Sequence, residues 1–152
     1  MNKLKEYLES IIDIKYQKLD GYELYEFIAT FDSVDKNIKL FVGENNFKIT
    51  LELECPLCNL EVFSEMNSFN ESSVMFKAYH DGNNVVISSF SYYDDIVENI
   101  KDILDELMSD DYEMISSLIK VIDKNNKIDK VELLENVIDL LNEGKKWKVI
   151  LN

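Results

Sequence analysis

The chain contains no arginine, and its acidic residues far outnumber its basic ones. Sixteen lysines stand against 30 aspartates and glutamates, which gives a formal net charge of −14 at pH 7. A surface with that charge repels nucleic-acid phosphates. Without arginine the protein also lacks the planar fork that binds phosphate or guanine through two hydrogen bonds. We therefore expect no direct binding to nucleic acid. An acidic surface suits a carrier of other proteins, or a mimic that occupies a nucleic-acid-binding site.

Long apolar runs, glycine and histidine are also scarce. No run approaches the roughly 20 apolar residues of a membrane span. The first ten residues, MNKLKEYLES, lack the apolar centre of a signal peptide, so we expect a protein of a bacterial-type cytoplasm without membrane contact. Four glycines form no phosphate-cradling loop, and the single histidine, His80, has no evident nucleophile to activate. These absences predict a protein that is not an enzyme and carries no cofactor.

The spacing of apolar residues predicts the first half of the fold. With 152 residues, of which 46% are apolar, the chain can form one domain with a real core. Helical spacing is expected over residues 2–19, where Asp20-Gly21 ends the helix. Three strands follow, at Leu24–Phe31, Ile38–Val42 and 47–53. The third strand alternates most clearly, and its inward face carries Phe47, Ile49, Leu51 and Leu53.

The second half of the chain again passes from helix to strands. Helical spacing covers residues 59–70, and a hairpin turns at Asp81-Gly82. A long helix begins at Asp94-Asp95, where acidic residues complement the helix dipole. The expected fold class is therefore α+β, an antiparallel sheet with α-βββ-α-ββ-α order over residues 1–123.

A C-terminal extension, residues 124–152, is expected to pack on the same domain as a helix followed by a short strand, WKVIL. Its start resembles a calcium-binding EF-hand loop, with Asp123, Asn125 and Glu132 near ligand positions. The match is two residues short and has no glycine for the sharp turn of that loop. We interpret it as a turn between two helices.

The two cysteines form a Cys-Pro-Leu-Cys turn, from Cys55 to Cys58, between the third strand and the next helix. Pro56 could simply start the helix while Cys58 fills space. Two protomers could instead pool their cysteines around zinc, or the pair could be a redox site. Within one chain the other ligand on offer is His80, which is distant in sequence and expected to face solvent at the hairpin turn. We expect no metal, with Cys55 and Cys58 as the candidates for one.

Three apolar residues on the predicted helix over 59–70 are candidates for contact with a partner or with a second copy. Phe63, Met66 and Phe69 recur at helical spacing and would form one patch. They could equally pack on the sheet.

Residues 60–100 carry a family pattern. LEVFSEMNSFN ends in Phe69-Asn70, and the hairpin that follows contains Lys77-Ala78-Tyr79 and Asp81-Gly82-Asn83 ahead of a long helix. In these features the chain resembles the YbjN-type domain over about residues 1–120. That family shares its α-βββ-α-ββ-α fold with the class I type III secretion chaperones, small acidic cytoplasmic homodimers that hold an extended segment of another protein. The chain departs from the pattern in the CPLC turn, in Phe where the family often has Trp, and in residues 124–152.

The resemblance and the composition together predict a non-enzymatic protein-binding module, chaperone- or adaptor-like, that forms a homodimer. The alternative is an acidic immunity or anti-defence protein, monomeric, that blocks a nuclease or another nucleic-acid-binding partner. A third interpretation is a small thiol- or zinc-dependent regulator built on the CPLC turn.

Overall fold

The computed structural model describes the backbone of residues 2–151 and the side chains of residues 2–127 and 134–143. The fold is α+β, as predicted. Its helices are α1 (Lys3–Ile11), α2 (Leu60–Ser72), α3 (Ile96–Met108) and α4 (Tyr112–Leu151). Its strands are β1 (Lys15–Leu19), β2 (Tyr22–Phe31), β3 (Val34–Val42), β4 (Asn46–Glu54), β5 (Lys77–His80) and β6 (Asn84–Tyr92).

The six strands form one antiparallel sheet in the order β1-β2-β3-β4-β6-β5. The helices cover one face of it, with α2 packed on α4 and β5, and α1 packed on α3. The predicted alternation of β4 is confirmed, because Phe47, Ile49, Leu51 and Leu53 are all buried in the core beneath the helices.

The N-terminal helix is shorter than predicted. It ends at Ile11, and residues 15–19 form the edge strand β1 instead. Asp20-Gly21 is a hairpin turn, in which Gly21 has a φ of 84° that favours glycine. Tyr16 holds β1 against the sheet through its ring, whose centroid lies 5.0 Å from that of Tyr25. The order therefore begins α-ββββ rather than α-βββ.

The turn between β2 and β3 is tighter than the sequence indicated. Asp32 and Ser33 form it with positive φ angles of 47° and 71°, as in a two-residue hairpin loop. Residues 34–37, which were expected to lie in the turn, extend β3 at its start. Lys36 pairs with Ala29 in this added part of the strand.

Helix α4 is continuous over 40 residues, so neither the expected turn after residue 123 nor the expected WKVIL strand is present in it. A helix satisfies its backbone hydrogen bonds within the segment and needs no place at a sheet edge. The described side chains of residues 134–143 are exposed rather than packed on the domain. Despite its length, α4 is not apolar enough to cross a membrane, and the same holds for the other helices among the described residues.

Candidate functional site

The sheet face opposite the helices, here called the open face, carries a line of exposed aromatic side chains. Strand alternation directs five aromatic rings to this face: Tyr79 of β5, and four others that we call the aromatic row, Tyr22, Phe41, Phe90 and Tyr92. Phe90 is 58% exposed and Tyr92 69% exposed. The rings pair as Tyr22 with Phe41, centroids 6.0 Å apart, and Phe90 with Tyr92, centroids 5.6 Å apart.

Register places Lys48 between the two ring pairs. On β4 it lies directly opposite Phe41 of β3 on one side and Phe90 of β6 on the other. Neighbouring strands are about 4.8 Å apart, so the two ring pairs are separated by about 10 Å across the sheet. The result is a shallow apolar surface with one cation at its centre.

Lysine predominates on the part of the open face that surrounds the aromatic row. Two residues further along each strand, a second row of cross-strand partners crosses the open face. Its members, from β1 to β5 in sheet order, are Lys15, Glu26, Lys39, Thr50, Ser88 and Lys77. On the helical side, Glu98, Asp102 and Asp105 are exposed along α3. Lys101 is the only basic residue between positions 94 and 119. The row beside the aromatic row therefore carries three lysines and one glutamate.

Aromatic side chains at an exposed site supply large apolar contact area at low entropic cost, and they dominate the binding energy of many protein interfaces. The row also lies across strands rather than along one strand. An extended apolar segment could therefore contact several of its rings at once.

Of the three predicted contact residues of α2, two are buried and one is exposed. Met66 and Phe69 are 5% and 2% exposed and belong to the core. Phe63 is 44% exposed, and its ring meets the His80 ring edge-on with centroids 6.4 Å apart. Only Phe63 of the three is accessible to a partner on this chain.

A second site forms where the CPLC turn meets the β5–β6 hairpin. The Sγ atoms of Cys55 and Cys58 are 3.3 Å apart, well beyond the ~2.05 Å of a disulfide. One ligand atom of His80 and these two sulfurs all lie within 4.8 Å of one another. Cys55 is fully buried, whereas Cys58 and His80 are partly exposed. We call these three residues the Cys–His cluster.

His80 is distant from the cysteines in sequence but lies beside them in space, and the prediction that it is a solvent-facing turn residue is wrong. Its Nε2 lies 2.6 Å from the backbone oxygen of Cys55. Its Nδ1 accepts a hydrogen bond of 3.3 Å from the N–H of Gly82, so Nε2 carries the proton in this arrangement. The backbone N–H of Cys55 donates to the oxygen of Asn83 at 3.0 Å, which joins the turn to the hairpin.

The neighbouring Asp81 has a structural role. Its Oδ1 accepts hydrogen bonds from the backbone N–H groups of Asn83 and Asn84, at 2.9 and 2.8 Å. These two N–H groups lower the pKa of Asp81 below its ordinary value. The charged carboxylate thereby fixes the hairpin turn that presents His80.

Asn125 of α4 clamps the CPLC turn from the other side. Its Nδ2 donates to the Leu57 oxygen at 2.6 Å and approaches Cys55 Sγ at 3.6 Å. Its Oδ1 accepts from the backbone N–H of Asn59, the N-cap of α2, at 3.0 Å. The side chain is 1% exposed. The residue that resembled a calcium ligand in the sequence is thus a buried anchor.

Two further polar groups fix helices to the sheet. Glu23 of β2 accepts hydrogen bonds from Tyr25 Oη at 2.7 Å and from the Asn2 amide at 3.0 and 3.2 Å. Burial opposes ionisation of Glu23, but these hydrogen bonds outweigh it and lower its pKa. Burial also raises the pKa of Tyr25 above its ordinary value. Because Asn2 caps α1, this network attaches the first helix to the sheet.

Asp111, at the start of α4, is a buried carboxylate. It is 1% exposed, and its Oδ2 accepts a hydrogen bond of 2.6 Å from the Ser73 hydroxyl. Burial raises the pKa of Asp111, although the Ser73 hydrogen bond acts in the opposite direction. Ser73 in turn accepts from the Phe76 N–H at 3.0 Å, so this contact links α2, β5 and α4.

Comparison of the sequence with protein-family models, with curated proteins and with solved structures found no match. The resemblance to the YbjN-type domain therefore stays a prediction. Function has to be inferred from the two sites themselves.

Proposed function

We propose that this protein is a non-enzymatic binding module, chaperone- or adaptor-like, that holds an extended apolar segment of another protein on its open face. The observation that carries the proposal is the exposed aromatic row. A sheet needs only one apolar face to fold onto its helices, so rings on the other face are not required by the core. Exposed aromatic patches of this kind mark binding sites.

The charges on the open face define the partner further. Lys48 lies within the aromatic row, and the row beside it carries Lys15, Lys39 and Lys77, with Glu26 between the first two. A basic segment would be repelled there, whereas apolar residues flanked by acidic ones would be complementary. We place this role in the cytoplasm, where thiols such as those of Cys55 and Cys58 stay reduced.

Self-association is part of the proposal, and α4 offers a surface for it. Leu134, Val137, Ile138 and Leu141 are 46 to 65% exposed, and we call them the α4 stripe. Their spacing of three, four and seven residues is that of a coiled-coil seam. The same stripe on a second copy would cover it in a two-fold symmetric dimer.

Light scattering tests the dimer. We expect about twice the chain mass of 17.8 kDa for the wild type and for Asp139→Asn, which lies on the opposite side of the helix. Leu141→Lys changes the net charge by the same amount but places it in the stripe, and we expect it to be monomeric. A wild-type monomer at micromolar concentration would contradict this part of the proposal.

The binding site is tested by a matched pair of lysine substitutions. Phe90→Lys changes the aromatic row, and Val74→Lys changes an 85%-exposed apolar residue in the loop between α2 and β5. Proteins that co-purify from the native cytoplasm are identified by mass spectrometry for each variant. We expect the partner to be retained by the wild type and Val74→Lys and lost by Phe90→Lys, because truncated anchor residues cost about 2 kcal/mol or more. Equal recovery with both variants would reject the open face as the site.

The acidic surface of α3 favours a second candidate, an immunity or anti-defence protein that blocks a nucleic-acid-binding site. Glu98, Asp102 and Asp105 form an exposed acidic line along α3. Calorimetry on the identified complex at two salt concentrations distinguishes the two. Apolar binding changes little with salt and shows a negative heat-capacity change. A loss of affinity of about tenfold or more on modest salt addition would favour the acidic mimic instead.

A further inference from the structure

The Cys–His cluster combines three side chains that share one chemical property. Thiolates and a neutral imidazole are the ligands that bind Zn²⁺ in proteins, and a Cys-x-x-Cys turn is a common way to supply two of them. Here that turn meets a histidine brought from a separate hairpin, with all three ligand atoms within 4.8 Å. We infer that Cys55, Cys58 and His80 bind one zinc ion per chain.

The distances are close to those that zinc requires. With Zn–S bonds of ~2.3 Å, two sulfurs in a tetrahedral site lie about 3.8 Å apart. The 3.3 Å separation of Cys55 Sγ and Cys58 Sγ would therefore open by about half an ångström. The sulfur–imidazole separations would close by up to about 1.2 Å, which side-chain rotation can supply.

The surroundings of the cluster favour the metal-binding form of the cysteines. The Asn125 amide donates toward Cys55 Sγ at 3.6 Å, and a donor to sulfur stabilises the thiolate. The same amide fixes the Leu57 oxygen, so the turn is held in place by α4 rather than by the metal. Outer contacts of this kind orient metal ligands and tune their affinity.

Zinc binding replaces protons. Both thiols release a proton to solvent, and one ring nitrogen of His80 must offer a lone pair. If Nδ1 binds, the proton on Nε2 keeps its contact with the Cys55 oxygen, an arrangement common among metal-bound histidines. In either case affinity falls as the pH is lowered. Soft thiolate ligands also select zinc over magnesium or calcium.

Three protein ligands leave the fourth position of a tetrahedral site for water or for a group on a partner. Sites that keep an open position exchange ligands more readily than closed four-ligand sites. Cys58 and His80 are partly exposed, so the open position can be reached from solvent. The site lies at the end of β5, near Phe63, and so is separate from the aromatic row at the opposite end of the sheet.

Cobalt titration of the reduced, chelator-treated full chain tests this site, because a thiolate bound to Co²⁺ gives an intense near-ultraviolet charge-transfer band. We expect the band to saturate at one Co²⁺ per chain and to disappear when Zn²⁺ is added. Cys58→Ser should weaken binding by more than about 100-fold, beyond the 10- to 100-fold effect of outer contacts. Competition with a chromogenic zinc chelator gives the zinc affinities of each variant.

His80→Gln removes the imidazole but keeps an N–H donor for the Cys55 oxygen, so we expect the fold to be preserved. We expect at least a tenfold loss of zinc affinity, because loss of a direct ligand should cost at least as much as the 10- to 100-fold effect of outer contacts. Tyr79→Gln is the matched control, since this neighbouring side chain of β5 points to the open face; its zinc affinity should equal that of the wild type.

Several results would overturn the inference. One is the absence of a thiolate–cobalt band from protein whose two thiols are shown to be reduced. Another is one metal ion per two chains with no effect of His80→Gln, which would place four cysteines from two copies around the ion. Unchanged circular dichroism and urea midpoint in His80→Gln ensure that a loss of affinity reports the ligand rather than the fold.

Discussion

Asn125→Ala is the most direct test of how the CPLC turn is held. The Asn125 side chain is buried and satisfies two backbone groups of the turn, the Leu57 oxygen at 2.6 Å and the Asn59 N–H at 3.0 Å. Alanine removes both contacts and leaves the helix backbone of α4 unchanged. The substitution therefore isolates the attachment of the turn to α4.

The expected loss follows from these two contacts. A buried backbone group without a partner costs about 1–3 kcal/mol, and both groups here are partly buried, so the lower half of that range applies to each. Alanine is the better helix former by up to about 0.7 kcal/mol, which offsets part of the loss. We expect Asn125→Ala to lower the free energy of unfolding by about 1.5–3 kcal/mol.

Asn126→Ala is the matched control, because it makes the same chemical change in the next residue of the same helix. Asn126 donates one exposed hydrogen bond of 2.7 Å to the Glu54 oxygen. Losing this hydrogen bond costs about 0.5–1 kcal/mol, and alanine's higher helix propensity offsets part of that cost. The free energy of unfolding of Asn126→Ala should therefore stay within about 0.5 kcal/mol of the wild-type value.

Urea unfolding with linear extrapolation measures both variants, and native-state hydrogen exchange reports on the Asn59 N–H directly. That amide should exchange faster in Asn125→Ala than in Asn126→Ala. A difference in stability below about 0.5 kcal/mol between the two variants, with equal exchange at Asn59, would show that the Asn125 side chain does not hold the turn.

Three further predictions concern the core, the buried carboxylate and its partner. Leu51→Ala should lower the free energy of unfolding by about 2–5 kcal/mol, because Leu51 is 2% exposed. Glu52→Ala on the open face should change it by less than about 1 kcal/mol. Equal effects of the two substitutions in urea unfolding would contradict the register of β4. Because burial raises the pKa of Asp111, the folded protein binds that proton more tightly than the unfolded chain. At neutral pH the wild type buries a charged carboxylate that Asp111→Asn lacks, so the free energy of unfolding of the variant, minus that of the wild type, should be largest there. This difference should decrease as the pH falls through the raised pKa toward the unfolded value of about 3.9. Urea unfolding at several pH values measures this, and the opposite slope would show that the carboxylate is stabilised by folding. Ser73→Ala should destabilise the protein by about 1–3 kcal/mol at neutral pH. The loss should be smaller at acidic pH, because protonated Asp111 has less need of the hydroxyl donor. A loss that does not depend on pH would assign the effect to the Phe76 N–H alone.

The parts of the fold that could be predicted depend on short-range patterns. Strand β4 alternates cleanly, Asp81-Gly82 forms the β5–β6 turn, and Asp95 caps α3 through the Glu98 N–H. Each of these signals lies within a few residues, so no knowledge of the tertiary structure was needed to interpret it. The α+β class follows from their order.

The errors arose where tertiary contacts override weak local signals. Residues 15–19 have no strong alternation, and they become a strand because β2 offers an edge on which Tyr16 can pack. The polar stretch after residue 123 suggested a turn, but burial of Asn125 against the CPLC turn keeps it helical. Neither contact can be inferred from sequence spacing.

The Cys–His cluster was missed for a similar reason. Cys55 and His80 are 25 positions apart, and they meet because β6 pairs with β4 on one side and with β5 on the other. That strand order brings the end of β4 and the end of β5 to the same edge of the sheet, since Leu53 and His80 both lie opposite Val85. A correct prediction that β4 pairs with β6 would therefore have placed His80 close to the two cysteines.

The aromatic row, by contrast, could have been found from the sequence. Its signal is a break in strand alternation, whereas the sequence analysis relied on apolar residues at helical spacing. Apolar residues at helical spacing, such as Met66 and Phe69, are what a core requires, and they carry little information about function. Phe41 lies between the buried residues Leu40 and Val42, and Phe90 follows the buried Ser89, so both rings fall on the face where polar residues are expected. The core gains nothing from an aromatic ring at such a position, and pairing with another ring on the sheet surface contributes only about 0.2–1 kcal/mol. Residues that depart from the alternation of their own strand are therefore the better guide to a binding surface, and in this chain they point to the open face rather than to α2.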